Sequence, residues 1–197
     1  MLQARAVLRL GSMLDALGPP LSTLVKRVMS RITVDSIASG SDDEVFSALG
    51  HELEDRITSE RGSPEFVAEI KGLPAGLRAM AATYELDVSL ALDDLGWHFG
   101  NWHSVELAEE TAAGLEELGA QELAELFRAA FDLAQDYWIE LGAENWMEWY
   151  NSSALEKAVG PLNAKAWAIV GQKKNGIFSY WVEYARKYPE RVGAEIA

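Results

Sequence analysis

Ser104-Val105-Glu106-Leu107-Ala108-Glu109-Glu110-Thr111-Ala112-Ala113-Gly114-Leu115-Glu116-Glu117-Leu118 is the stretch that decides the fold class. On a helical wheel of ~100° per residue with Leu107 at zero, Leu107, Ala108, Thr111, Ala112, Gly114, Leu115 and Leu118 fall between roughly −20° and 140°. Glu106, Glu109, Glu110, Glu116 and Glu117 fall between roughly 180° and 300°. One arc is apolar and the other is carboxylate, which predicts an amphipathic helix. The segment Gln121–Leu141 repeats the division. Leu123, Leu126, Phe127, Ala130, Phe131, Leu133, Ala134, Tyr137, Trp138 and Leu141 share one side, opposite Glu122, Glu125, Asp132, Asp136 and Glu140. Both segments are expected to bury a stripe and present acid to solvent.

Working outward, helix signals continue on both sides and alternating strand patterns are almost absent, so the expected fold is an all-α, multi-helix single domain. Ser41-Asp42-Asp43-Glu44 reads as a capping box opening a helix to about Ser59. Helices are expected after Pro64 and after Pro74, the latter running to about Leu95. Gly18-Pro19-Pro20, Gly62-Ser63-Pro64, Gly72-Leu73-Pro74 and Gly160-Pro161 punctuate the pattern where helices should end and begin. Ile37-Ala38-Ser39-Gly40 reads as a linker. It separates a basic N-terminal arm, 1–35, from an acidic helical domain, 42–191. Within the arm, helices are expected over about 2–17 and from Pro20 to Ile32. An amphipathic pair or flexible arm is the simpler account of this Arg-rich and Ser-rich start, a transit peptide the other.

The 197 residues are 49% hydrophobic, enough for a core and too apolar for wholesale disorder. Their net charge of −14 is distributed unevenly. Residues 79–156 hold seventeen acids and a single base, Arg128. Direct binding of nucleic acid through phosphate neutralisation is excluded by this balance, because that binding depends on Lys and Arg. No cysteine is present, which removes disulfides, thiolate catalysis and Cys-based zinc sites. No apolar run approaches the ~20 residues of a membrane span and no secretory signal is laid out, so a soluble, cytoplasmic protein without a membrane partner is expected.

Charge runs are usually solvated faces, but ordinary exposed helices intersperse bases that relieve like-charge repulsion. Here only Arg128 is close in sequence. That lack of compensation suggests that the field itself is used, for solubility or to attract a basic partner. The five carboxylates from Glu106 to Glu117 give one charge per ~3–4 Å of helix axis, near the ~3.4 Å between phosphates along a strand.

Asp93-Asp94-Leu95-Gly96-Trp97-His98-Phe99-Gly100-Asn101-Trp102-His103 offers two imidazoles and two carboxylates, ligand types that suit zinc or iron. His98 and His103 are five apart, however, and helical metal pairs are three or four apart. The competing account is a helix end and turn in which Trp97, Phe99 and Trp102 anchor the core while Gly96 and Gly100 bend the backbone. His51 is expected at the surface or its boundary. The aromatic run ending in Trp146, Trp149 and Tyr150 has acidic neighbours, which argues against base stacking. It fits a core, with a protein interface as the alternative.

Leu73-Pro74-Ala75-Gly76-Leu77-Arg78-Ala79, Tyr84-Glu85-Leu86-Asp87, Asp94-Leu95-Gly96-Trp97-His98-Phe99 and the run Leu107 to Ala120 together resemble the bacterial DNA-mimic protein family. The closing Tyr184-Ala185-Arg186-Lys187-Tyr188-Pro189-Glu190-Arg191 is similar to the family's end. The likeness covers roughly 42–191. It departs at the family's Asn-Gly-Gly-Phe turn, where this chain has Asp94, Leu95, Gly96 and Trp97. The resemblance implies an all-α fold, commonly dimeric, and a negative surface that occupies the DNA site of a DNA-binding protein such as a repressor. It implies no catalytic residue and no cofactor.

The favoured reading is a non-enzymatic interaction protein whose carboxylate face, made by Glu106, Glu109, Glu110, Glu116, Glu117, Glu122, Glu125, Asp132 and Asp136, binds a basic, nucleic-acid-binding protein. One alternative is an immunity or antitoxin protein that neutralises a basic toxin. A different class is a metal-dependent enzyme or small-ligand binder around Asp93, Asp94, His98 and His103.

Overall fold

The computed structural model describes residues 32–195, and the helices expected within 1–31 lie outside them. Eleven α-helices follow one another: α1 (Val34–Ser39), α2 (Asp42–Arg56), α3 (Pro64–Lys71), α4 (Ala75–Leu92), α5 (Leu95–Asn101), α6 (Val105–Glu117), α7 (Gln121–Gln135), α8 (Trp138–Leu141), α9 (Trp146–Tyr150), α10 (Ala154–Gly171) and α11 (Phe178–Lys187). A 3₁₀ turn, Pro189–Val192, closes the series. No strand forms among the described residues, so the fold is all-α. The only β-type pairing there is an isolated bridge between Thr33 and Glu195.

Local sequence sets many of the helix starts. Ser41 and Glu44 form the expected capping box, and Ser63, Asp94, Ser104 and Ser153 each accept a backbone N–H of the first turn. Pro64 occupies the first turn of α3, where its missing N–H costs nothing. Between α6 and α7 the chain turns through Leu118-Gly119-Ala120. The Ala120 N–H donates to the Leu115 carbonyl at 2.8 Å and the Gly119 N–H to that of Glu116 at 3.0 Å. This is a Schellman closure, and it requires the left-handed φ of 78° that Gly119 supplies. The turn lets the two acidic helices pack directly on each other.

α4 is the hub, buried nearly all round from Gly76 to Leu90, and α6 lies along it. At Gly114 a Cβ would stand 3.0 Å from the Ala79 carbonyl, so the missing side chain sets how near the two helices come. Thr111 donates across the contact to the Ala82 carbonyl at 2.8 Å. α2, α3, α5 and α11 also pack on α4, while α7 packs on α5, α6 and α10.

Four expectations need correction. The linker 37–40 is instead the end of α1, because Thr33 and Ser36 form a capping box and Ile37 is buried in the core. The helix expected from Gln121 to Leu141 stops at Gln135, turns at Asp136 and Tyr137, and resumes as α8. Gly160-Pro161 marks no boundary, since α10 runs through Pro161. α2 and α4 end at Arg56 and Leu92, a few residues early.

Candidate protein-binding face

The apolar arc of α6 is buried as its periodicity requires, from Leu107 and Ala108 through Thr111, Ala112, Gly114 and Leu115 to Leu118. On α7, Leu123, Phe127, Ala130, Phe131 and Ala134 are buried, with Leu126 and Leu133 half-buried. Burial of the two stripes fixes which way the carboxylates point. Glu106, Glu109, Glu116, Glu122, Glu125, Asp132 and Asp136 are exposed.

Glu110 and Glu117 depart from the expected solvent face. Glu110 is buried at 8% exposure, where its carboxylate accepts from Arg78 Nε at 2.6 Å and Arg78 Nη2 at 2.7 Å, with Lys71 Nζ 3.8 Å away. Glu117 is half-buried, accepts the Tyr184 hydroxyl and pairs with Arg191 at 2.8 Å. Burial and the adjacent carboxylate push the Tyr184 hydroxyl pKa up, so it stays a donor. Both residues could have been singled out from the wheel: at roughly 280° to 300° they are the carboxylates nearest the apolar edge at −20°. The bases that meet them are far away in sequence, which is why only Arg128 was visible as a counter-charge.

Arg128 does act as expected, spanning the seam between α6 and α7 to reach Glu116 Oε1 at 3.0 Å. The remaining carboxylates have no cationic partner among the described residues. Glu106 takes the hydroxyl of Ser104 at 3.4 Å and Glu125 the amide of Gln121 at 3.2 Å. Glu109, Glu122, Asp132 and Asp136 have no partner among the described residues. Glu140, Glu144 and Glu148, outside the nine, extend the exposed acid onto α8 and α9.

The histidine stretch does not assemble a ligand set. His98 is buried in α5, its Nδ1 3.0 Å from Ser89 Oγ and its ring edge-on to Phe99 and Phe127. Burial pushes its pKa down to about 3, so it is neutral. His103 is exposed, stacks on Trp138 and places Nε2 2.7 Å from the Trp138 carbonyl, to which it donates. Asp94 caps α5 through the Trp97 N–H and accepts the Tyr150 hydroxyl at 3.0 Å. Asp93 stays half-buried at the end of α4. Among the described residues no group of three or more His, Asp or Glu is placed to hold a metal ion. His51 is exposed, as expected.

Gly96 and Gly100 also act differently from expectation. They lie within α5 and make room for rings rather than bending the chain: a Cβ at Gly96 would collide with the Tyr150 phenol, and one at Gly100 would stand 2.5 Å from the Trp146 indole. Trp146 and Tyr150 are thereby core, and Trp149, half-buried, packs on Tyr137. The aromatic run is an internal anchor for α8 and α9.

Helices α4 to α10, carrying the whole carboxylate face, fall inside residues 71–188, which match the model of the DMP19-like proteins. The chain belongs to the DMP19-like protein family. No curated protein and no solved structure matches it. In this DMP19-like chain the match begins at the end of α3, later than the likeness from residue 42, so α1 and α2 lie outside it. No described helix is long and apolar enough to cross a membrane.

Proposed function

We propose that this protein is a non-enzymatic DNA mimic whose carboxylate face on α6 and α7 binds a basic, nucleic-acid-binding protein. The observation that carries this reading is the exposed set Glu106, Glu109, Glu122, Glu125, Asp132 and Asp136, which no described Lys or Arg neutralises. Like charges held on two packed helices repel, at a few tenths of a kcal/mol per close pair. The same array focuses a negative field that steers a cationic surface toward it. The edges of the array are rigid, because Arg78 and Arg191 tie Glu110 and Glu117 to neighbouring elements and the Schellman turn fixes α6 against α7. A pre-organised array presents its charges without ordering them on binding.

The test is capture of partners from the source lysate on immobilised protein, eluted by a salt gradient, beside a variant with Glu109→Lys, Glu122→Lys, Glu125→Lys and Asp132→Lys. A mimic releases a small set of DNA-binding proteins at a defined salt step, in competition with DNA, and the variant captures none of them while keeping its helical circular dichroism. Equal capture by the variant would overturn the assignment of the face. Recovery of a basic toxin domain in their place would replace mimicry by immunity.

A further inference from the structure

The carboxylate array explains attraction to a basic protein but not choice among basic proteins. Every protein that grips a nucleic-acid backbone carries cations for phosphates, and it is the contacts to base edges that specify the sequence it reads. The excursion formed by α8 and α9 offers a contact of the second kind. Its inner side is fixed: Leu141 is buried, Trp146 and Tyr150 fill the spaces left by Gly100 and Gly96, and Trp138 stacks on His103. Elsewhere on the same platform Ile139 is 89% exposed and Met147 45% exposed.

A lone exposed apolar side chain is ordinary. These two stand on an immobilised platform with exposed Asp136, Glu140, Glu144 and Glu148 around them in the chain, and no Lys or Arg occurs between Ala129 and Glu156. The platform continues directly from the end of α7, where Asp132 in the helix and Asp136 in the turn after it belong to the carboxylate face. Exposed alkyl groups interspersed along the chain with exposed carboxylates fit a surface that is both cationic and apolar. Readers of the DNA major groove have that combination, with Lys and Arg for phosphates and apolar side chains for the thymine methyl group.

We propose that Ile139 and Met147 are specificity-determining anchors, which enter an apolar recess flanked by Lys or Arg on the reading surface of a DNA-binding protein. The anchors take the place of the thymine methyl group, while Asp136, Glu140, Glu144 and Glu148 meet the surrounding cations. This assignment rests on the DNA-mimic reading above and narrows its partner to basic proteins with an alkyl recess.

Two synthetic peptides with equal numbers of lysines test it, one with leucines between the lysines and the other with serines in those places. Binding is read by fluorescence anisotropy at low and high salt. The wild-type chain holds the leucine peptide about tenfold more tightly, an advantage that persists when salt weakens both. Ile139→Ser with Met147→Ser removes the advantage and leaves serine-peptide affinity unchanged, whereas Leu92→Ser, at an exposed leucine of α4, preserves it. Circular dichroism checks that each variant is folded. Equal binding of the two peptides by the wild type, or an advantage that survives in the double variant, overturns the anchors. If the four-lysine variant binds both peptides as the wild type does, the carboxylate-face reading itself fails and the partner assigned here goes with it.

Discussion

Glu109 and Glu110 are chemically identical neighbours with opposite surroundings, and the difference is one helical step of about 100°. Glu109 faces water, whereas Glu110 is drawn into the α4 contact by Arg78. Removing the Glu110 charge strands a partly covered guanidinium, so Glu110→Gln should lower the unfolding free energy by about 1–3 kcal/mol. Glu109→Gln should stay within about 0.5 kcal/mol of wild type, as exposed substitutions do. Urea titration of both proteins checks this, and partner association should show the reverse ranking. A second residue-scale prediction concerns His98. Its pKa is pushed down from 6.5 to about 3 by burial, so below 6.5 the unfolded chain binds a proton that the folded chain refuses. Stability is full above pH 6.5 and falls with pH toward 3, by about 2 kcal/mol at pH 5. Glu85 and Asp87 work against this just above their ordinary carboxylate range, because burial raises both and acid favours their folded form. Urea unfolding from pH 7.5 to 5 gives the slope. A pH dependence over that range that is the same in wild type and His98→Gln would show that His98 can be protonated within the fold.

Helices announce themselves through period and caps, and those signals were legible here: the first acidic helix, the start of the second at Gln121 and the Ser41 box stand where the pattern puts them. Tertiary packing overrode local punctuation elsewhere. Pro161 is exposed within α10 and ends nothing, while Ile37 is buried and makes a helix of a stretch that reads as a linker. Glycine shows the limit most clearly, because its role depends on what faces it. Gly96 and Gly50 are both helical, but a Cβ at Gly96 collides with Tyr150 whereas one at Gly50 meets nothing within 4 Å. Gly96→Ala and Gly100→Ala should each destabilise by about 1–3 kcal/mol through overpacking. Gly50→Ala and Gly160→Ala should instead stabilise by about 0.5–1 kcal/mol through helix propensity. Urea midpoints of the four variants check the signs; a stabilising Gly96→Ala would mean that Tyr150 is free to move aside.

Across the whole molecule, the sign and place of the charge were readable from the sequence, but not which acids are free. Arg78 meets Glu110 across 32 residues of chain, and only the packing of α4 on α6 reveals it. Such pairs hold Glu110 and Glu117, and Arg128 takes Glu116 across the seam, but six exposed carboxylates are left without a described cation, so the folded chain should carry a repulsion that salt relieves. At low ionic strength the charges on α6 and α7 interact within a long Debye length, whereas about 0.3 M salt screens them beyond several ångströms. Melting temperature should therefore rise with salt, by about 2–4 °C if relief amounts to roughly 1 kcal/mol. The four-lysine variant removes the repulsion by reversing charges, so it should melt higher than wild type at low salt and respond less to added salt. Differential scanning calorimetry of both proteins across the salt series decides the matter. If wild type instead melts lower as salt rises, attraction within pairs such as Arg78–Glu110 and Arg191–Glu117 outweighs repulsion across the face. The array would then be electrostatically relaxed in the free protein, and its acidity could not be read as stability given up for binding.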